Sequence, residues 1–228
     1  MMRRELVDRR CFVSVESSQS LAQGIEGGLS AIGQMQLAED VADVVGAGVD
    51  AVGFVLAPRS PRAIDRRRAA ALMDGIPVLR ILVTVDTSAR ELEEVVEVTG
   101  ADGVQPHGRH AEEAAHWAQR SGLFVLRPIR QDSTGGWDDS GVPHGQIPLV
   151  DSATGDDHGG TGCPLDWNRL VPPERRFVLA GGLTPENVAT AVETVDPWGV
   201  DASSGLESAP GIKDPARVAA FVQEAKRQ

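Results

Sequence analysis

Short apolar segments alternate with amphipathic ones along the chain, a pattern typical of repeated strand–helix units around a parallel sheet. The apolar segments predict strands at 51–56, 78–85, 103–106, 123–127, 147–151, 177–180 and 199–202. The amphipathic segments predict helices at 37–45, 65–73, 88–100 and 110–121. Ser88 and Glu91 form a capping-box pattern, and Gly100 is suited to end that helix. Thr184-Pro185 and Asp214-Pro215 each place a cap residue before a proline, which predicts the starts of two final helices.

A closed barrel needs one more strand before the first predicted helix. SAIGQM at 30–35 is the favoured candidate, because the alternative, CFVSV at 11–15, needs a long glycine-rich connection. We therefore predict one eight-stranded α/β barrel at residues 28–228 after an N-terminal extension at residues 1–27. Residues 130–146 show no helical period, so we expect a loop in place of the fifth helix.

Two glycine-rich stretches follow the last two predicted strands. They are LAGGLTPENV (179–188) and VDASSGLESAPGIKD (200–214). Small residues let backbone N–H groups approach a ligand, and the helix start that follows adds a partial positive charge. In an α/β barrel the loops after the seventh and eighth strands commonly bind phosphate. The predicted phosphate cradle is Gly181, Gly182, Ser203, Ser204 and Gly205, although tight strand–helix packing also favours glycine at such turns.

The composition of the chain limits which kinds of binding partner and cellular location we expect. The net charge of -11 disfavours a nucleic-acid or anionic-membrane surface. No apolar run approaches the roughly 20 residues that a membrane span needs, and the N-terminus lacks the apolar core of a signal peptide. Cys11 and Cys163 form no disulfide framework, so we expect a cytoplasmic protein. No metal-ligand spacing or nucleotide fingerprint occurs, and we expect neither metal nor cofactor.

Five segments, in the right order, resemble the phosphoribosylanthranilate isomerase family. They are the two glycine-rich stretches together with GVDAVGFVLAPRSPR (48–62), GVQPHG (103–108) and LVDSATGDDHGGTGCPLDW (149–167). The resemblance extends from about residue 30 to residue 226. It implies a (β/α)8 TIM barrel and an enzyme of tryptophan biosynthesis that performs an Amadori rearrangement of N-(5-phosphoribosyl)anthranilate. Such a reaction needs a general acid, a general base, a phosphate anchor and a cavity for the aromatic ring.

The resemblance assigns roles to four residues. Asp151 matches the acid, and its apolar neighbours at 147–150 would keep it protonated. Arg62 matches an arginine near the substrate's carboxylate and ribose, Asp201 matches an aspartate that faces the substrate amine, and His107 matches a histidine at the end of the fourth strand. Each has a structural alternative: Asp151 and Asp201 as caps of the turns that follow them, Arg62 as a solvated loop residue, and His107 as a packing residue.

One position departs from the family pattern. The family carries K-I-C-G in its first strand, and the cysteine is the base, whereas this chain has Ala31-Ile32-Gly33-Gln34. Gly33 leaves the base position vacant, and Cys163 stands where the family has a loop lysine. Relocation of the general base to Cys163 or to Cys11 is an open alternative.

The leading function is the isomerase. The alternatives are a diverged paralogue of specialised metabolism acting on a related N-glycosylated arylamine, or a non-catalytic sugar-phosphate binder. The expected ligand is a small phosphorylated N-glycoside, and the expected state is a monomer or homodimer.

Because Gly33 has no side chain to move a proton, we expect slow turnover of N-(5-phosphoribosyl)anthranilate by the natural chain. Gly33→Cys should raise turnover by up to about 10²-fold, which is part of the rate increase that a positioned base provides. The loss of substrate fluorescence measures both rates. Gly33→Ser, which is similar in size but lacks a thiol, is the control and should stay at the natural rate. Rapid turnover by the natural chain would mean that another residue is the base.

Overall fold

Eight parallel strands pair in chain order and close into a barrel in the computed structural model. The structure describes residues 29–32, 35–130, 136–137, 139, 141–151 and 175–227. The predicted extension at 1–27 lies outside these residues. The barrel strands are β1 (Leu29–Ile32), β2 (Ala51–Val55), β3 (Leu79–Val85), β4 (Gly103–His107), β5 (Phe124–Arg130), β6 (Ile147–Asp151), β7 (Val178–Leu179) and β8 (Gly199–Ala202).

Helices follow most of the strands, as expected for βα units. They are α1 (Ala38–Gly46), α2 (Arg66–Met73), α3 (Ala89–Thr99), α4 (Ala111–Arg120), α5 (Val188–Val195) and α6 (Pro215–Ala225). A short 3₁₀ helix (Ser204–Leu206) and a two-stranded hairpin, β9 (Glu207–Ala209) and β10 (Ile212–Lys213), lie between β8 and α6. Among the described residues, no helix is long and apolar enough to cross a bilayer.

The first strand lies where the sequence predicted it. β1 overlaps the predicted 30–35 segment and pairs with both β2 and β8, so it closes the barrel. In this register Ala31 lies opposite Ala51 on one side and opposite Asp201 on the other. The alternative strand at 11–15 lies outside the described residues.

The predicted helix caps are confirmed with one exception. Ser88 and Glu91 form the reciprocal capping box, Gly100 ends α3 in the left-handed conformation, and Asp214 caps α6. The prediction that Thr184-Pro185 opens a helix is wrong, since α5 begins at Val188. The Asn187 side chain accepts the Thr184 N–H at 2.8 Å and donates to the Gly182 carbonyl at 3.0 Å. These bonds hold the preceding residues as a turn instead of a helical start.

The connection from β5 to β6 contains no helix in its described part, residues 136–137, 139 and 141–146. The Arg175 guanidinium fastens it by donating to the carbonyls of Val142 at 2.8 Å and Gln146 at 2.6 Å. Trp137 packs against Phe177 with ring centroids 5.4 Å apart. Packing of Trp137 on Phe177, together with hydrogen bonds from the Arg175 side chain to backbone carbonyls, thus stabilises this loop.

Alternation along the strands divides the core into two layers. One face of β2, β3, β5, β6 and β7 points into the barrel, and the apolar residues there are Ala51, Leu79, Ile81, Phe124, Leu126, Leu149, Val178 and Ala180. The opposite face packs against the helices through residues such as Phe54, Leu82, Val104, Val150 and Val200. Asp151 and Asp201 therefore share the interior face, because each lies one residue beyond an outward-facing valine.

At the amino ends of the strands, Arg80 and Asp102 form a bidentate ion pair at 2.6 and 2.8 Å. The Asp102 side chain is only 10% exposed. Asp102→Asn should lower the free energy of unfolding by about 1 to 3 kcal/mol, since it removes the charge that the half-buried guanidinium faces. Urea denaturation measures the loss.

Glu94→Gln is the matched control, because Glu94 pairs with Arg90 at 3.7 Å on an exposed surface. We expect a change of at most about 0.5 kcal/mol there. Equal effects of the two substitutions would show that the Arg80–Asp102 pair adds no stability beyond that of a surface pair.

Candidate active site

Two carboxyl groups lie in the barrel interior at the carboxyl ends of β6 and β8. Asp151 ends β6, Asp201 lies in β8, and both are half-buried. Burial and the nearby negative charge of Asp151 raise the pKa of Asp201 to about 7, against a smaller opposing effect of the Lys213 charge. At neutral pH the pair can therefore both hold and release a proton.

Asp201 does not cap the turn that follows it. Among the described residues, its carboxyl group makes no hydrogen bond to the Ser203–Gly205 turn. The carboxyl group is instead affected by burial and by the charges of Asp151 and Lys213. Its side chain faces the interior because Val200 and Ala202 face the helices. The Asp201 side chain is thus directed towards the barrel mouth.

Arg62 lies in the connection after β2, and its side chain is only 13% exposed. Its Nε donates to Glu207 Oε1 at 2.8 Å and its Nη2 donates to Glu207 Oε2 at 2.7 Å. A solvated loop arginine would have no such fixed partner. The guanidinium is instead held in one orientation beside the mouth.

His107 ends β4 on the interior face. Its Nε2 lies 3.0 Å from the Nε2 of the buried Gln105 side chain. This contact is a hydrogen bond between the Gln105 amide and the His107 ring on the interior face. The imidazole is half-buried and borders the same interior as the two carboxyl groups.

The two glycine-rich turns pack against each other. Gly181 and Gly182 have φ values of 89° and 66°, which only glycine adopts readily. At Gly205 a Cβ atom would collide with the Leu183 carbonyl oxygen of the neighbouring turn. The backbone after β7 and the 3₁₀ helix after β8 are therefore in direct contact, as a shared phosphate cradle requires.

Sequence reasoning missed two charged residues of this region, Glu207 and Lys213. They lie opposite each other in the β9–β10 hairpin, and Lys213 Nζ lies 3.2 Å from Glu207 Oε1. The signal was present as opposite charges on either side of the Pro210-Gly211 turn. It was not recognised because a charged pair in a hairpin is ordinarily exposed, whereas the Lys213 side chain is 1% exposed.

Three residues that bear on the base lie outside the described residues: Gly33, Cys163 and Cys11. The first strand is described as far as Ile32, which pairs with Ala202, and the preceding residue, Ala31, pairs with Asp201. Asp201 therefore lies beside the end of the strand that precedes Gly33.

The chain was compared with known families and structures. The model of the family described as N-(5'phosphoribosyl)anthranilate (PRA) isomerase matches residues 30–224. An N-(5'-phosphoribosyl)anthranilate isomerase from Rubrobacter xylanophilus is 40% identical, over 82% of this chain and 94% of the relative. The phosphoribosyl anthranilate isomerase structure from Thermus thermophilus superposes with a TM-score of 0.74 at 29% identity, covering 86% of this chain and 97% of that one.

A further isomerase structure was solved in complex with reduced 1-(o-carboxyphenylamino)-1-deoxyribulose 5-phosphate. It superposes with a TM-score of 0.70 at 28% identity and covers 88% of this chain and all of its own length. The family match spans most of the barrel, and the barrel brings those predicted site residues that the structure describes to the carboxyl ends of the strands. This chain belongs to the phosphoribosylanthranilate isomerase family.

Proposed function

We propose that this protein catalyses the Amadori rearrangement of N-(5-phosphoribosyl)anthranilate to 1-(o-carboxyphenylamino)-1-deoxyribulose 5-phosphate. This is an intramolecular oxidoreduction, in which C1′ is reduced while C2′ is oxidised. The observation that carries the proposal is the Asp151–Asp201 pair, with the pKa of Asp201 raised to about 7, in a barrel of this family. A protein that only binds sugar phosphates has no need of two interacting carboxyl groups.

Asp151 is the proposed acid for ring opening. Its proton goes to the furanose oxygen as the C1′–O bond breaks and the nitrogen lone pair forms the C1′=N double bond. Because the two carboxylates repel each other, the pair keeps one proton, and the raised pKa places it mainly on Asp201 in the free protein. Ring opening then requires this proton to pass to Asp151, which leaves Asp201 ionised. The position of Asp151 at the carboxyl end of β6 is where barrel enzymes place such groups.

Asp201 is the proposed acceptor of the C2′ proton. Loss of this proton gives an enolamine, which becomes the ketone once C1′ is protonated. With a pKa near 7, Asp201 is about half ionised at neutral pH and is a base of moderate strength. This role also agrees with the slow turnover that we expect, since Gly33 offers no second base.

The remaining site residues hold the two ends of the substrate. Arg62 is proposed to bind the anthranilate carboxylate, and His107 to border the sugar. The phosphate is proposed to bind the backbone and hydroxyl donors of the two packed turns, Gly181, Gly182, Ser203, Ser204 and Gly205. We further infer a cytoplasmic protein that acts as a monomer or homodimer on this small ligand, without nucleic-acid or membrane partners.

Asp151→Asn tests the proposal most directly. The amide keeps the shape of the side chain but cannot deliver the proton, so turnover should fall to the uncatalysed rate. Affinity for the reduced product analogue, measured by calorimetry, should stay within a few-fold. The exposed Asp196→Asn removes one charge elsewhere and should retain full turnover.

Two results would contradict the proposal. Full turnover by Asp151→Asn would remove Asp151 from the chemistry. Binding of the analogue without any turnover by the natural chain would identify a sugar-phosphate binder instead of an isomerase.

The raised pKa of Asp201 predicts a pH-dependent stability. The folded protein binds the Asp201 proton more tightly than the unfolded chain does, so this contribution to stability is present below pH 4 and is lost as the pH rises to about 7. Asp201→Asn removes the titrating group, so the variant does not lose this stability as the pH rises. Relative to the natural protein, the variant should gain on the order of 2 kcal/mol in unfolding free energy between pH 5 and pH 8.

Urea denaturation at both pH values measures this gain, with Asp196→Asn as the control for loss of a negative charge. A difference between Asp201→Asn and the natural protein that is equal at the two pH values would mean that Asp201 titrates as an ordinary aspartate. It would then be a poor acceptor for the C2′ proton.

A further inference from the structure

Glu207 is the buried centre of an ionic cluster beside the barrel mouth. Its side chain is 5% exposed, yet it is the common partner of Arg62 and Lys213. Oε1 accepts from Arg62 Nε at 2.8 Å and from Lys213 Nζ at 3.2 Å, and Oε2 accepts from Arg62 Nη2 at 2.7 Å. Both oxygens are therefore engaged by protein cations.

Lys213 extends this cluster to the phosphate cradle. Besides Glu207, its Nζ contacts the Ser203 carbonyl oxygen at 3.1 Å and Ser203 Oγ at 3.3 Å. An ammonium group has three N–H donors, and these three contacts account for them. Lys213 is thus a structural tie between Glu207 and the turn after β8.

The charges of the cluster leave Glu207 ionised. Burial raises the pKa of Glu207, but the hydrogen bonds from Arg62 and the Lys213 charge lower it by more, so the net shift is downward. Two cations and one carboxylate give the cluster itself one net positive charge, which interacts with the carboxyl group of Asp201.

Among the described residues, one edge of the Arg62 guanidinium has a hydrogen-bond partner and the other has none. A guanidinium offers two edges that can bind a carboxylate in a bidentate manner, Nε with Nη2 and Nη1 with Nη2. Glu207 occupies the first edge. The second edge is therefore the one that can bind a carboxylate of the substrate, and its direction is fixed by the ion pair on the first.

We propose that Glu207 is a positioning residue that orients the Nη1–Nη2 edge of Arg62 towards the aromatic carboxylate of the substrate. It acts through Arg62 and does not touch the substrate. Lys213 holds the Ser203 turn through its own contacts with the Ser203 carbonyl oxygen and Oγ, so the phosphate end of the site does not depend on Glu207. This inference rests on the proposed function, because it assumes that Arg62 meets the anthranilate group.

Glu207→Gln tests this role with two ligands that differ only in the aromatic carboxylate. One is reduced 1-(o-carboxyphenylamino)-1-deoxyribulose 5-phosphate, and the other is its phenylamino counterpart. Affinity for the first should fall about tenfold or more, since a charge-assisted contact is misaligned. Affinity for the second should change less than threefold, because Arg62 has nothing to bind there. Calorimetry measures both and does not depend on turnover.

Two further variants make the test specific. Glu186→Gln, the control, makes the same chemical change at a side chain that is 65% exposed and paired with Arg217, and neither affinity should change. Arg62→Lys removes the bidentate edge, so adding Glu207→Gln to it should cost no further affinity for the carboxylated ligand. Should Glu207→Gln fold poorly, Glu207→Asp retains the buried charge while shortening the side chain, and the same selective loss is expected.

The outcomes separate this inference from the proposed function. Equal losses for both ligands, or additive losses in the double variant, would show a general structural role for Glu207 and overturn the inference. Unchanged affinities would overturn it as well, while leaving the isomerase assignment intact. A natural protein that binds neither ligand would overturn the proposed function and this inference with it.

Discussion

Closure of the sheet, by the parallel pairing of β8 with β1, is the constraint on which the site depends. It places Asp201 next to Ala31 and gathers the ends of β4, β6 and β8 around one interior. Much of the interior face of the strands is apolar, contributed by residues such as Leu79, Leu126 and Leu149. Carboxyl groups at the end of this layer lose hydration, which is the largest cause of the raised pKa of Asp201. The same pairing that completes the fold therefore places Asp201 where its pKa is raised.

Charge is distributed unevenly around the mouth. The carboxyl pair lies in the interior, whereas Arg62 and Lys213 lie to one side, joined through Glu207. Lys213 belongs to both groups, because its charge lowers the pKa of Asp201 while its hydrogen bonds fix Ser203. Groups that would hold the two anionic ends of a substrate are thus separate from the groups that would move protons, but they interact electrostatically. A change in either group alters the other.

The sequence predicted most of the fold because strands and helices carry their own periodicity. The Ser88–Glu91 box and the Asp214 cap were readable because their partners lie within a few residues. The start of α5 was misplaced because the Asn187 side chain competes for the preceding turn. The sequence alone did not distinguish an active-site role of Asp201 from the role of a turn cap, because that distinction depends on the residues that surround Asp201 in the fold. Glu207 was missed for a related reason, since its main partner, Arg62, is 145 residues away in sequence and only the barrel brings the two together.

That separation has a consequence for how the protein matures. Contacts between distant segments form late in folding, because they require the largest loss of chain entropy before they contribute anything. The Arg62–Glu207 pair joins the connection after β2 to the hairpin after β8, so the guanidinium is oriented only where both ends of the barrel are in place. A ligand that needs this arginine binds only the completed barrel, and by mass action it stabilises that state over every intermediate. Substrate availability would then influence how long the folded protein survives in the cell, independently of its turnover.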